Sequence, residues 1–268
     1  MIVSAGALPT AYDDVGTGQP VVFLHGFPLD RRMWAPQTEA LAAHARCIAP
    51  DLRGFGETPL ATPLAPPLSM DQYADDVAAL LDALAVERAT VVGLSMGGYV
   101  AFALWRRHPE RVRALVLADT RAGADTDEVR DRRRALAELA RARGSRAVAD
   151  LQIEGLVGKS TRRDRPEVVR HLHEMLASAS VDAIVGALTA MMTRPDSRDL
   201  LPTISVPTLV VVGDEDALTP PKEARAMQED IRGSRLAVIP AAGHVSNVEG
   251  PDEFNAQLRA FLGALPDA

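Results

Sequence analysis

The chain has 268 residues, 47% of them hydrophobic and 24% charged, which suits one large α/β domain, or one domain carrying an insertion, with a sizeable core. A formal net charge of −7 and a pI of about 5.4, with no basic stripe or groove, exclude nucleic acid as the expected partner. The start lacks a basic segment ahead of a long apolar one, no uncharged run reaches the ~18 residues of a membrane span, and the lone Cys47 can form no internal disulfide, so the expected setting is cytoplasmic, away from any membrane.

In chain order, "PVVFLHG" at 20–26 predicts a buried strand, followed by a helix near 33–43. "RCIAPD" at 46–51 predicts the next strand and makes Cys47 a buried small hydrophobe. A glycine- and proline-rich loop runs on to about residue 68. Apolar positions recur at helical spacing in "DQYADDVAALLDAL", 71–84. "TVVGLS" (90–95) predicts a strand, 96–107 a helix, and "RALVLAD" (113–119) another strand. From 121 to 200 the chain is helical and charge-rich with no convincing strand, and it predicts a helical cap inserted into a core made of 1–120 and 201–268. Within it, Arg132, Arg133 and Arg134 lie near Asp127, Glu128 and Asp131 and read as a solvated helix face. "PTLVVVGD" (207–214) and "RLAVIPA" (235–241) predict strands, and 252–264 a closing helix. Continuous apolar strands alternating with helices give an α/β class with a mostly parallel sheet covered on both faces.

The chemistry starts at "GLSMG", 93–97. It fits G-x-S-x-G where a strand turns sharply into a helix, a context that holds the Ser95 hydroxyl at the carboxyl end of the sheet. A serine hydroxyl is a weak nucleophile and needs a base oriented by a third group. Of six histidines, only His244, in "PAAGHVSNVEGP", falls in a loop between the last predicted strand and the last helix. For the acid, "VVVGDEDALTPP" leaves a strand end with three carboxylates. Asp216 fits best, Asp214 reads as a turn cap and Glu215 as solvated, while Asp119 in "LADTRA" is the competing position. The acid would fix the imidazole tautomer and stabilise the imidazolium. Oxyanion donors are expected at the backbone N–H groups of Met96, after the nucleophile, and of Phe27, in the loop after "VVFLHG".

Five stretches in this order, "HGFPLD", "DLRGFGET", "GLSMGGYVAF", "GDEDALTPP" and "AAGHVSNVEGP", resemble the α/β-hydrolase superfamily over essentially the whole chain. The resemblance implies an α/β-hydrolase fold with a cap, a Ser95–His244–Asp216 triad and no metal or cofactor. It makes Asp51, Arg53, Gly54 and Gly56 structural and His25 a loop support. "HGFPLDRRMW", "GLSMGGYVAFAL" and "LADTRAGADT" are similar to small capped carboxylesterases that act on short acyl chains. The expected partner is a small-molecule ester, and the expected assembly a monomer or small homo-oligomer.

Serine rather than aspartate at position 95 sets the chain apart from haloalkane dehalogenases and epoxide hydrolases. The nearest rival is an enol-lactonase of the 3-oxoadipate type, whose substrate carboxylates would want arginines turned into the pocket. Pro28 beside the oxyanion loop resembles cofactor-free perhydrolases, and a triad-retaining ligand receptor is the alternative from another class. Leu136, Leu139, Ile153, Leu156, Met175, Leu188, Met191 and Met192 could wall a pocket, although most would serve as cap core in any case.

Overall fold

The computed structural model describes residues 1–60 and 67–266, so the predicted loop up to residue 68 lies partly outside the described residues. Strands β1 (Ile2–Ala5), β2 (Leu8–Val15), β3 (Pro20–Leu24), β4 (Arg46–Pro50), β5 (Ala89–Leu94), β6 (Val112–Ala118), β7 (Thr208–Gly213) and β8 (Arg235–Ile239) form one sheet in the order β1-β2-β4-β3-β5-β6-β7-β8. From β4 to β8 every pairing is parallel. β1 and β2 add an antiparallel edge that the sequence reading did not foresee, because both interleave polar or exposed positions with apolar ones and present no continuous apolar run.

Period-two alternation splits the core in two. Val22 and Leu24 of β3, Leu115 and Leu117 of β6, and Val210 and Val212 of β7 face one cluster. Val21 and Phe23, Val116, and Leu209 and Val211 face the other. The first side is covered by α2 (Met70–Ala83) and α3 (Met96–Arg107), the second by α1 (Ala35–Leu41) and, at the chain end, Phe254, Leu258 and Phe261. Helix α2 starts on Ser69, whose hydroxyl accepts from the Gln72 amide at 3.1 Å.

Between β6 and β7 come four helices and no strand: α4 (Asp127–Leu156), α5 (Lys159–Asp164), α6 (Pro166–Ser178) and α7 (Val181–Met192). Gly144, with φ 79°, breaks α4 into two arms. The first arm packs with α7 into the same cluster as α3 through Leu136, Leu188 and Met191. The second meets α6 through Leu156 and Met175. Helix α8 (Pro221–Asp230), too charge-rich to stand out in the sequence, and the short α9 (Ser246–Glu249) were not foreseen; α10 (Pro251–Leu262) closes the chain. The predicted 33–43 helix is a 3₁₀ turn at Arg31–Trp34 followed by α1. No single helix among the described residues is long and apolar enough to cross a membrane.

Sheet order reverses between β3 and β5, and a crevice at such a switch point is where α/β sheets place ligands, at the carboxyl ends of the strands. Phe27 follows β3 and Ser95 follows β5.

Candidate active site

Ser95 sits at φ 54°, ψ −111°, a left-handed backbone forced by the turn from β5 into α3. Two glycines make that turn possible. A side chain on Gly93 would run into the Gly97 carbonyl, and one on Gly97 into the Leu24 carbonyl of β3. The strained corner presents the Ser95 hydroxyl, whose oxygen lies 2.8 Å from His244 Nε2.

His244, 4% exposed, lies between β8 and α9. Its Nδ1 is 2.8 Å from Asp216 Oδ2. With Nδ1–H donating to that carboxylate, Nε2 is left to accept from Ser95. Asp216 is held in turn: Oδ1 accepts from the Leu218 and Thr219 amides at 2.8 and 2.9 Å, and Oδ2 from the Thr219 hydroxyl at 2.8 Å. Burial would push the Asp216 pKa up, but the His244 charge and these hydrogen bonds outweigh it and hold the group below its usual value. Burial likewise disfavours charge on His244, yet Asp216, with Asp119 and Glu249 adding the same sign, raises its pKa above the ordinary histidine value.

The backbone N–H groups of Phe27 and Met96 donate to no other group among the described residues, and Met96 opens α3, where the helix dipole adds positive potential. Ser95, His244 and Asp216 are thus joined in one hydrogen-bonded chain, with Met96 next to Ser95 in sequence and Phe27 in the loop after the neighbouring strand β3. The arrangement can deprotonate a serine hydroxyl, shelter an oxyanion and return a proton to a leaving group.

The competing carboxylate, Asp119, makes no hydrogen bond to His244. Fully buried, it accepts from the Gly213 amide at 2.9 Å and from the Ser246 amide and hydroxyl at 3.2 and 2.5 Å, and so braces the loops on either side of the histidine. Two expectations are corrected. Glu215 is half-buried rather than simply solvated: it accepts from the Ser160 amide and hydroxyl at 2.8 and 2.7 Å, tying α5 to the acid loop. The exposed Asp214 side chain makes no capping hydrogen bond among the described residues, and the turn is closed by the Asp216 amide on the Gly213 carbonyl. His25 bridges two loops, with Nε2 accepting from the Leu52 amide at 2.9 Å. Burial pushes the Cys47 thiol up to about 11, which leaves it inert. Thr219 escaped sequence reasoning, although its place three residues after Asp216 is a spacing at which a hydroxyl and a carboxylate meet across a turn.

The Arg132–Arg134 run also needs correcting. Arg132 and Arg134 are exposed, but Arg133 turns inward and pairs with the buried Asp125 at 2.6 Å. No group of three His, Cys, Asp or Glu side chains among the described residues is placed to hold a metal ion.

Residues 19–251 match the model of the alpha/beta hydrolase fold family. The 3-oxoadipate enol-lactonase 2 of Acinetobacter baylyi is 31% identical over 242 residues, 90% of this chain and 88% of its own. Among solved structures, a thermophilic esterase from Thermogutta terrifontis, with malate bound, superposes with TM-score 0.93 and 42% identity over 99% of this chain and 98% of that one. A bromoperoxidase from Bacillus anthracis gives TM-score 0.86 and 27% identity over 98% and 99%.

Proposed function

The chain belongs to the α/β-hydrolase family, and from that premise we propose that it is a serine hydrolase of carboxylic esters with short acyl chains. The observation that carries this reading is the unbroken hydrogen-bonded chain from the Ser95 hydroxyl through His244 to Asp216. Ser95 Oγ attacks the ester carbonyl as its proton passes to His244 Nε2, and the oxyanion rests on the Phe27 and Met96 amides. The imidazolium, steadied by Asp216, gives the proton to the departing alcohol and leaves an acyl-serine. Water deprotonated by His244 then attacks the acyl carbon, and the acid leaves as Ser95 recovers its proton. Each proton taken up is returned, so the cycle closes without a cofactor.

In this reading, residues 121–200 form the cap over the nucleophile, 1–120 and 201–268 the catalytic core, and the setting is cytoplasmic. The resemblance of "HGFPLDRRMW", "GLSMGGYVAFAL" and "LADTRAGADT" to small capped carboxylesterases and the 42% identity to the Thermogutta enzyme support the ester class. Enol-lactone hydrolysis is the second reading. It uses the same acyl-serine chemistry, and the similarity to the Acinetobacter enol-lactonase supports it. The test is initial rates on p-nitrophenyl esters from acetate to decanoate, with Ser95→Ala alongside. A serine-dependent maximum at short acyl chains supports the proposal; no turnover by folded protein across the series refutes it.

A further inference from the structure

Every position at which the Asp216 carboxylate can accept a hydrogen bond is taken. Oδ1 accepts from the Leu218 and Thr219 amides at 2.8 and 2.9 Å. Oδ2 accepts from the Thr219 hydroxyl and from His244 Nδ1–H, both at 2.8 Å. Two carboxylate oxygens offer about four acceptor sites, so the group is saturated. The acid loop fills three of those sites itself, and the imidazole takes the last.

The Thr219 hydroxyl also lies 3.2 Å from His244 Nδ1. Nδ1 carries the proton that it gives to Asp216, so it cannot accept from the hydroxyl. The hydroxyl therefore points its hydrogen at Oδ2, its other contact among the described residues, and turns a lone pair toward Nδ1–H. Thr219 Oγ1, Asp216 Oδ2 and His244 Nδ1 close a triangle in which two donors share one oxygen.

The local sequence aims this hydroxyl. Thr219 is 4% exposed, and Pro220 and Pro221, where α8 begins, follow it directly. A β-branched side chain has few χ1 choices, and a following proline disfavours helical backbone. Serine would carry the same oxygen with more freedom, and valine the same shape without the oxygen.

Sharing Oδ2 has a chemical consequence. A donor on a carboxylate oxygen steadies its charge and weakens its pull on the next donor. Asp119 at the end of β6 and Glu249 on α9 also face the imidazole, and both push its pKa up with Asp216, against burial. Their own oxygens are occupied by backbone amides and the Ser246 hydroxyl. With those charges favouring the imidazolium, free base becomes scarce as the pH falls. The Thr219 hydroxyl, on the same oxygen as Nδ1–H, acts in the opposite sense.

We infer that Thr219 is a positioning residue of the hydrolase: by sharing Asp216 Oδ2 with Nδ1–H, its hydroxyl limits the carboxylate's grip on the imidazolium and sets how far into acid the enzyme stays active. Its effect on turnover rests on the serine-hydrolase reading, whereas its hold on His244 is measurable without a substrate.

Thr219→Val and Thr219→Ser separate the hydroxyl from its packing. In Thr219→Val the acid limb of kcat/KM on p-nitrophenyl acetate moves up by about half a pH unit, while KM changes less than about threefold. Thr219→Ser keeps the wild-type limb. A role in packing alone gives the reverse order, with valine behaving as wild type and serine not. If the valine variant does not fold, Thr219→Ser against Thr219→Ala makes the same comparison, because both lack the methyl group and only alanine lacks the oxygen. NMR titration of the His244 ring Cε1 in protein labelled with ¹³C-histidine reads the same shift with no ester present, the resonance being identified by its absence in His244→Gln. A ring titration that stays in place or moves to lower pH when the hydroxyl is removed overturns the inference, as does an equal shift in Thr219→Ser. If wild-type protein turns over no ester, the esterase reading fails, and the ring titration still decides the role of Thr219.

Discussion

The backbone amide of His244 donates to the carbonyl of Leu156 at 2.9 Å, fastening the loop that carries the base to the last residue of α4. Two residues on, the Gly158 amide donates to Glu249 Oε2 at 2.8 Å, while Glu249 Oε1 accepts from the Val245 amide at 3.3 Å. Glu215, beside Asp216, holds Ser160 in the same way. The junction of α4 and α5 is thus bolted to both loops that supply the acid and the base. These inserted helices form part of the frame that sets the histidine.

Glu249→Gln tests that coupling. The side chain is 2% exposed, and each of its oxygens accepts from a different backbone amide. Glutamine offers one oxygen, so one buried N–H loses its acceptor, at a cost of about 1–3 kcal/mol in unfolding free energy. We expect a lower Tm and a fall of about tenfold or more in kcat, with little change in KM, as the imidazole loses its seat. An unchanged kcat would mean that the histidine loop holds its position without the inserted helices.

Backbone strain at Ser95 gives a second expectation. A non-glycine residue at φ 54° costs on the order of 1–3 kcal/mol. Ser95→Gly relieves that cost where Ser95→Ala does not, so the glycine variant unfolds at the higher temperature although both lack the nucleophile. Equal melting temperatures would argue that the turn stores no strain. At Gly97 the reverse holds. A Cβ there meets the immovable Leu24 carbonyl, so Gly97→Ala loses roughly 2 kcal/mol or more, whereas Gly155→Ala, with only Leu218 in ordinary contact, is neutral or slightly stabilising.

The pH profile follows from the direction of the His244 shift. The base works only when unprotonated, and Asp216 raises its pKa despite burial. Activity is therefore full at mildly alkaline pH and falls as pH drops through an apparent pKa above about 6.5, the ordinary histidine value. In Asp216→Asn the raising charge is gone and burial remains, so the acid limb moves to lower pH while kcat drops by on the order of 10⁴. A limb that stays in place in Asp216→Asn would sever the link between this carboxylate and the base.

The layout was legible from sequence wherever a signal is local. Continuous apolar strands gave the parallel sheet, and strand–glycine–serine–glycine–helix placed Ser95 at its carboxyl edge. The ordered loops "GDEDALTPP" and "AAGHVSNVEGP" pointed to Asp216 and His244, which the structure brings within hydrogen-bond distance of each other. Legibility failed where partners lie far apart in the chain. Nothing near Glu249 announces that Gly158, 91 positions earlier, will donate to it. Nor does the run at 132–134 reveal that its middle arginine alone turns toward Asp125, eight residues back on the other side of a helix start. Periodicity reports which face is apolar, but it does not identify the charged side chain that finds a buried counterpart.

The most direct test of Ser95 as the nucleophile is intact-protein and peptide mass spectrometry after reaction with a fluorophosphonate, a phosphorus electrophile that traps activated serines. We expect one phosphonyl group per chain, on the peptide containing Ser95, with loss of esterase activity in step with labelling and no adduct in Ser95→Ala or His244→Ala. Full activity retained by protein labelled on Ser95, or an adduct on any other residue that tracks inactivation, would contradict the assignment.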